Sequence, residues 1–170
     1  MSLTQPPTTD DFRRTVSWFV TGVAVMTSVD ANGQPHAMTA NAVSSLSLDP
    51  PLVLVCVARD ASMAQVVQSG QLFALSFLSA DQRSISDRFA NPDRGYGVVE
   101  FDGVATSAGV TGAPLLDGAA AWMDCELHDV LPGGDHLIVV GKVVGTGISE
   151  AASSLMYTPR GYDRWQPPES

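Results

Sequence analysis

Thr39, Asn41, Ser44, Ser45 and Ser47 crowd into one run of the chain, His36 to Val57, which reads HAMTANAVSSLSLDPPLVLVCV. Hydroxyl and amide groups beside free backbone N–H groups can hold the polar edge of a ring or a phosphate. The same residues can instead satisfy a bulged strand, and composition alone favours that reading. Further on, Arg59 precedes Ser62, and Ser62 with Gln65 spells a capping box. A helix N-terminus with an arginine nearby is a natural phosphate site; plain capping would need no ligand. Arg88-Phe89 offers a cation beside a ring, or equally a core phenylalanine beside a solvated arginine. In Pro132-Gly133-Gly134-Asp135-His136, the glycines allow a tight turn and Asp135 can fix the backbone or the imidazole. Taken alone, that histidine reads as incidental to a hairpin.

Other kinds of chemistry find little support. Asp124 and Glu126 are paired acids on which nothing else converges. Cys56 and Cys125 form no C-x-x-C or metal spacing, so no metal site is expected. No glycine-rich G-x-G-x-x-G or P-loop run is present, so a nicotinamide enzyme built on this chain would bind its dinucleotide in another way.

The elements that position these residues follow from pattern. Thr8 or Thr9 can cap a helix from Asp10, with Asp10 and Asp11 at its positive end. Phe12, Val16 and Phe19 fall at helical spacing and are expected to face the core, with Gly22 ending the helix. Val23 to Val29 is a β-branched strand, and Asn32-Gly33 is a hairpin signal that pairs it with His36 to Ala42. His36, at a strand start, reads as solvated. Asp49-Pro50-Pro51 breaks the ladder, and Leu52 to Val57, without polar alternation, predicts a strand covered on both faces. A helix from Ser62 to about Gln68 precedes a stop at Gly70. Leu72 to Leu78 is a strand, and Ser79 to Phe89 a helix with Ile85 and Phe89 on one side. Asn91 to Val99, with Pro92, Gly95 and Gly97, is a loop of the kind that serves as a lid, Tyr96 at its centre. Val104 to Ser107 and Ala119 to Leu131 read as strands, the latter with Met123, Cys125 and Leu127 inside and Asp124, Glu126 and His128 on its wet face. Leu137 to Val144 is a strongly apolar strand. Short, evenly spaced strands with a few short helices predict a mainly β barrel.

The 170 residues suit one domain, with a flexible arm over 1–9, the domain over 10–166 and a tail over 167–170. Hydrophobic residues make up 45%, an ordinary balance for a folded soluble chain. The net charge of −9 repels phosphate backbones at long range, which argues against nucleic acid as a partner. No apolar run approaches the roughly 20 residues that span a bilayer, so no membrane association is expected. The start, MSLTQPPTTDD, lacks the basic and apolar regions of a signal peptide. Two cysteines in apolar segments read as buried small residues, which fits a reducing cytoplasm.

In order and spacing, Met38-Thr39-Ala40-Asn41 followed by Ser44-Ser45-Leu46-Ser47-Leu48-Asp49-Pro50-Pro51-Leu52-Val53 resembles the flavin-binding segment of the flavin reductase family. Phe12 to Thr27, Ser69 to Leu75, Phe89-Ala90, Gly134-Asp135-His136 and the closing Leu155 to Tyr162 are similar to further segments of that family. Together they span about Asp10 to Trp165. At Pro159 the chain departs from the family pattern, which often carries an aromatic residue there; this leaves a ligand role for Arg160 or Tyr162 unassigned.

The resemblance implies an FMN-binding split β-barrel with a few short flanking helices. It implies an NAD(P)H:flavin oxidoreductase that reduces FMN or FAD with NADH or NADPH and supplies a separate flavin-dependent oxygenase by diffusion. It implies a homodimer. Carried over residue by residue, Met38, Thr39, Ala40 and Asn41 line the flavin ring edge, with Val57 beside the ring. Ser44, Ser45 and Ser62 hold the ribityl phosphate, with Arg59 and Arg88 as further phosphate contacts. Phe89 covers the cofactor, and His136 docks the nicotinamide. Hydride transfer from nicotinamide C4 to flavin N5 needs proximity and orientation but no nucleophile or dyad, in keeping with the inventory above. Two alternatives remain at this stage: an enzyme that keeps its flavin as a prosthetic group, and a non-catalytic split-barrel module that binds flavin or haem.

Overall fold

The computed structural model describes residues 6–149 and 153–166. The expectations for residues 1–5 of the arm and for the tail at 167–170 lie outside them. Three helices flank the strands: α1 (Thr9–Val16), α2 (Ser62–Gly70) and α3 (Arg83–Ala90). The strands are β1 (Thr21–Gly22), β2 (Ala24–Val29), β3 (Pro35–Ala40), β4 (Val43–Leu48), β5 (Pro51–Ala58), β6 (Leu72–Phe77), β7 (Thr106–Ala108), β8 (Pro114–Leu116), β9 (Ala121–Gly133), β10 (His136–Ile148), β11 (Ser154–Thr158) and β12 (Gly161–Trp165). Seven form one antiparallel sheet in the order β3-β2-β6-β9-β10-β5-β4. Its two edge strands, β3 and β4, are consecutive in the chain and joined only by Asn41-Ala42. So short a link requires the sheet to curl until its edges meet, and the Cys56 N–H donates to Ala42 O at 3.0 Å, carrying the β4–β5 ladder into that link. That is a barrel closed by the chain rather than by a continuous ladder, the split barrel expected above. A second sheet, β1-β11-β12, packs beside it.

The barrel interior holds Met26, Val53, Val55, Val57, Met63, Val67, Phe73, Leu75, Cys125 and Val139, all at most 2% exposed. Phe73 reaches across to β10, where a Cβ at Gly141 would overlap its ring and the Cys125 Cβ. Gly141 is therefore a packing requirement. A second cluster of Val23, Val25, Ala37, Leu78, Phe89, Leu116 and Leu155 joins the two sheets through α3.

Several local expectations change. Helix α1 begins at the Thr8 capping box but ends at Val16, with Ser17 as its C-cap. It buries no residue: Phe12 is 62% exposed and Phe19, beyond its end, 76%. Its apolar spacing turns towards the outer face of the sheet, not the core. Gly22, expected to stop that helix, instead pairs with Met156 in β1. Ser62 is the first residue of α2, not its cap, which is Ala61 without a side-chain bond. Gly70 closes the helix and Gln71 takes the left-handed turn, φ 59°. A Cβ at Gly70 would collide with Val29 O, so glycine is held there by close packing. Asp124 leaves the wet face: it is buried and accepts the Thr111 N–H at 2.8 Å and the Thr111 hydroxyl.

The largest departure is His36, expected in solvent but 2% exposed. Its Nδ1 bonds Glu100 Oε1, and Glu100 is wholly buried. Glu100 also accepts from Ala37 N at 3.2 Å, Gly97 N at 3.2 Å and Arg94 Nε at 3.1 Å. Arg94 Nη2 donates to Ala37 O at 2.6 Å and approaches His36 Nε2 at 3.5 Å. The Tyr96 ring covers His36 at 5.1 Å between centroids. The segment expected as a loose lid is thus pinned to β3 by a buried ion cluster, and its end is helical over Gly97–Phe101.

Burial pushes the Glu100 carboxyl up. The His36 bond and charge, the Ala37 N–H and Arg94 outweigh it and bring the carboxyl below its ordinary value of 4.5. Glu100 therefore stabilises the fold fully above that value and loses its contribution as pH falls through the lower folded-state value. Glu100→Gln should cost about 3 kcal/mol, because it strands Arg94 in a buried site. Urea melts at pH 7 and at a series of acid pH values check this. The variant should show a shallower acid-side slope than the wild type, and equal stability at pH 7 would contradict the assignment.

Candidate functional site

The pleat decides which predicted residues can meet a ligand. Along β3, Ala40 packs into the barrel with Met38 against the same core, while Thr39 turns the other way. Thr39 Oγ1 donates to Ser86 O at 2.7 Å, and Ser86 Oγ meets the Tyr162 hydroxyl at 2.9 Å. Along β5, Val53, Val55 and Val57 are inward and sealed. Leu54 and Cys56 face outward, half-buried, so the strand is not covered equally on both sides.

Across β4, Ser44 pairs with Leu54 and shares its outward face. Directly opposed residues of an antiparallel pair point to the same side. Ser45 pairs with Val53, which puts it on the opposite side from Ser44, and a register shift follows between Ser45 and Ser47. On the other flank of β5, Ile138 pairs with Cys56 and His136 with Ala58. Ser44, Leu54, Cys56, Ala58 and His136 therefore share one outward sheet face. His136 sits roughly 7 Å beyond Cys56, two residues along the strand direction.

That face is one wall of a cleft of about 510 Å3 lined by Asn41, Ala42, Val43, Ser44, Leu54 and Cys56. The opposite wall comes from α1 and its continuation, Phe12, Arg13, Val16, Ser17 and Phe19, with Thr21 and Tyr157 at the end. A smaller cavity of about 250 Å3, between Thr39, Ser86, Tyr157 and Tyr162, shares Asn41 with it. The lining is mainly aliphatic and aromatic, with Arg13 and Ser17 as polar groups on the helix wall and Asn41 and Ser44 on the sheet wall, the composition of a small-molecule site. Thr21 lines the end of this cleft, and its Oγ1 atom is buried without a hydrogen-bond partner.

Arg59 and His136 come together beyond the cleft. Arg59 Nε donates to Gly134 O at 2.7 Å, and its backbone N–H donates to Asp135 O at 3.1 Å. His136 Nδ1 bonds Asp135 Oδ1 at 2.8 Å. That bond and the His136 charge hold the Asp135 carboxyl below its ordinary value. The imidazole is thus oriented, and 45% of its side chain stays exposed. Ser62 is exposed and three residues past Arg59.

Three expected contacts lose their side chains to structure. Val57 is fully buried in the barrel, so Cys56 is the β5 residue that meets the cleft. Phe89 is 1% exposed and packs on Phe101 at 5.5 Å, with no ring face left for a ligand. Arg88 Nη1 bonds Asp102 O, away from the cleft. The tail's Pro159-Arg160 forms the turn between β11 and β12, which explains proline there. Tyr162 instead lines the small cavity beneath Arg83, whose guanidinium lies 5.1 Å from the ring.

A profile described as the Flavin reductase like domain matches residues 15–166. The chain belongs to this family. It is 38% identical over 166 residues to an NADH-dependent FAD reductase of Streptomyces globisporus, covering 97% of this chain and 90% of that protein. It is 39% identical to a probable flavin reductase of Rhizobium meliloti, covering 85% of this chain but only 45% of that one. A crystal structure of the flavin reductase component of a bacterial two-component tryptophan halogenase superposes with a TM-score of 0.87 at 37% identity. It covers 94% of this chain and 99% of that one.

In this flavin reductase family member, sequence reading missed Thr21, Leu54, Cys56 and Tyr157 as cleft residues. Alternation would have found Leu54 and Cys56 had one face of β5 been assigned to solvent. The two thiols then differ in kind. Cys56 opens on the cleft, while burial, with the Asp124 charge, pushes the Cys125 thiol up to about 12. A disulfide reagent at pH 8 should therefore modify about one thiol per native chain. Cys56→Ser should abolish that reaction, and two thiols reacting at one rate would contradict the burial of Cys125.

Proposed function

We propose that this chain oxidises NADH or NADPH and reduces FMN or FAD held in the cleft, as the reductase half of a two-component flavin-dependent monooxygenase. The observation that carries this reading is the common outward face of Ser44, Leu54, Cys56 and His136. The face that walls a ring-sized apolar cleft continues to an oriented, accessible histidine. Bound there, a flavin supplies the hydride-accepting ring; the chain supplies position and exclusion of water. Asn41, the backbone of Met38 to Ala40 and the Thr39 position line the ring edge. Ser44, Arg59 and Ser62 hold the phosphate end, while Ser45, on the other side of β4, does not share their face. His136, fixed by Asp135, docks the nicotinamide.

The Streptomyces relative's NADH dependence supports NADH as the donor, and the halogenase reductase supports a separate flavin-using partner. Many of the lining residues, Asn41 and Ser44 included, are exposed, which suits a flavin that comes and goes. These relatives favour turnover over a storage module. Free thiols and a nicotinamide donor suit a reducing cytoplasm. Among the described residues no helix is long and apolar enough to cross a membrane.

The exposed apolar run Phe12, Val16, Trp18, Phe19 and Val20 supports a homodimer, because a contiguous patch of this kind is seldom left to water. Multi-angle light scattering should give twice the 17.9 kDa chain mass. Phe19→Asp should shift the protein towards single chains, and a single-chain wild type at micromolar concentration would refute the dimer.

Purified protein should oxidise NADH in air only when FMN or FAD is added. No flavin-dependent turnover with NADH or NADPH would overturn the reading. His136→Ala should raise the KM for NADH about tenfold with flavin affinity nearly unchanged. Equal loss of both would make the histidine structural.

A further inference from the structure

Among the described residues, the Thr21 hydroxyl is the one buried side-chain polar atom without a hydrogen-bond partner. Thr21 is held firmly. Its strand, β1, pairs with β11 so that Thr21 lies opposite Tyr157 and Gly22 opposite Met156. Opposed residues share a face, and both Thr21 and Tyr157 line the large cleft with Asn41, Ser44 and Cys56. The residue as a whole is only partly buried, yet its Oγ1 is sealed. Valine has the same shape without the hydroxyl. A wall built only for packing would be better served by valine, because an unpaired buried hydroxyl costs stability.

We infer that Thr21 is a ligand-reading residue: its hydroxyl turns into the cleft and bonds the polar edge of the flavin ring. This rests on the placement of flavin in that cleft. Threonine side chains occupy discrete staggered wells, and no bond holds Oγ1 in its present one. A single step about χ1 exchanges the sealed hydroxyl with the other substituents of Cβ. The hydroxyl then donates or accepts as the ring edge requires. The rest of the lining is complementary. Leu54, Cys56, Phe12 and Tyr157 offer apolar and aromatic surface to a ring face, while Thr21 and Asn41 offer polar atoms near its rim. The contact is to the ring and not to the phosphate or adenine, so FMN, FAD and riboflavin should feel it alike.

The test uses the full chain as wild type, Thr21→Val and Thr21→Ser. Affinity is read from quenching of flavin fluorescence, and stability from thermal melts with and without flavin. Thr21→Val should raise the flavin-free melting temperature by about 2–4 °C, through removal of an unpaired hydroxyl. The same variant should weaken FMN, FAD and riboflavin binding by a common factor of about 3 to 10, the worth of one neutral hydrogen bond. Thr21→Ser keeps the hydroxyl and should bind within about twofold of wild type.

Unchanged affinity in Thr21→Val would overturn the inference and leave the flavin site standing. Equal weakening in the serine variant would assign the effect to the lost methyl, and weakening with one flavin alone would remove the contact from the ring; either overturns it. A wild type that quenches none of the three flavins would bring down the flavin reading itself, and Thr21's role with it.

Discussion

Everything in this molecule depends on a two-residue connection. Asn41-Ala42 carries the chain from one edge of a seven-stranded sheet to the other. Strands at opposite ends of a sheet can be chain neighbours only if the sheet has curled through nearly a full turn, as right-handed twist permits. The link therefore sets the barrel's closure, and the barrel's closure puts Asn41 and Ser44 beside Cys56. A candidate ligand cleft on the outside of the seam is a direct product of the constraint that makes the inside a core.

The buried cluster around Glu100 holds the far end of the same edge strand. One end of β3 is fixed by the His36–Glu100–Arg94 network, and the other runs straight into the Asn41-Ala42 link. Burying a carboxylate is costly unless its acceptor sites are filled. Here two backbone N–H groups, an imidazole and a guanidinium fill them. Thr39 lies between these ends, and its hydroxyl donates to Ser86 O. An edge strand with no partner on one side is otherwise a weakly held element.

Much of this was readable in the sequence. Hairpin signals, proline breaks and evenly spaced apolar runs located most of the strands and pointed to the mainly β class. The Gly-Asp-His turn placed the histidine where the structure has it. What escaped was information that only tertiary neighbours contain. Leu52 to Val57 has no polar member to mark its outer face, so nothing in the strand itself shows that Cys56 and not Val57, which the resemblance implied, opens on the cleft. Phe89 sits on a helix whose apolar side carried the same signal for core as for ligand cover, and packing chose core. His36 looked solvated because its partners, Arg94 and Glu100, are about sixty residues away in the chain. Phe12 and Phe19 looked internal because helical spacing reports an apolar face without saying what it meets.

The pleat of β5 also divides labour between neighbouring positions. Val53, Val55 and Val57 belong to the core, while Leu54, Cys56 and Ala58 look outward, and the two sets interleave residue by residue. Substitutions on the outward set can change what the cleft accepts without opening voids in the barrel. Substitutions on the inward set are paid in stability and leave the cleft's chemistry alone. A scaffold arranged in this way can drift in ligand preference at little risk to its folding, one outward position at a time.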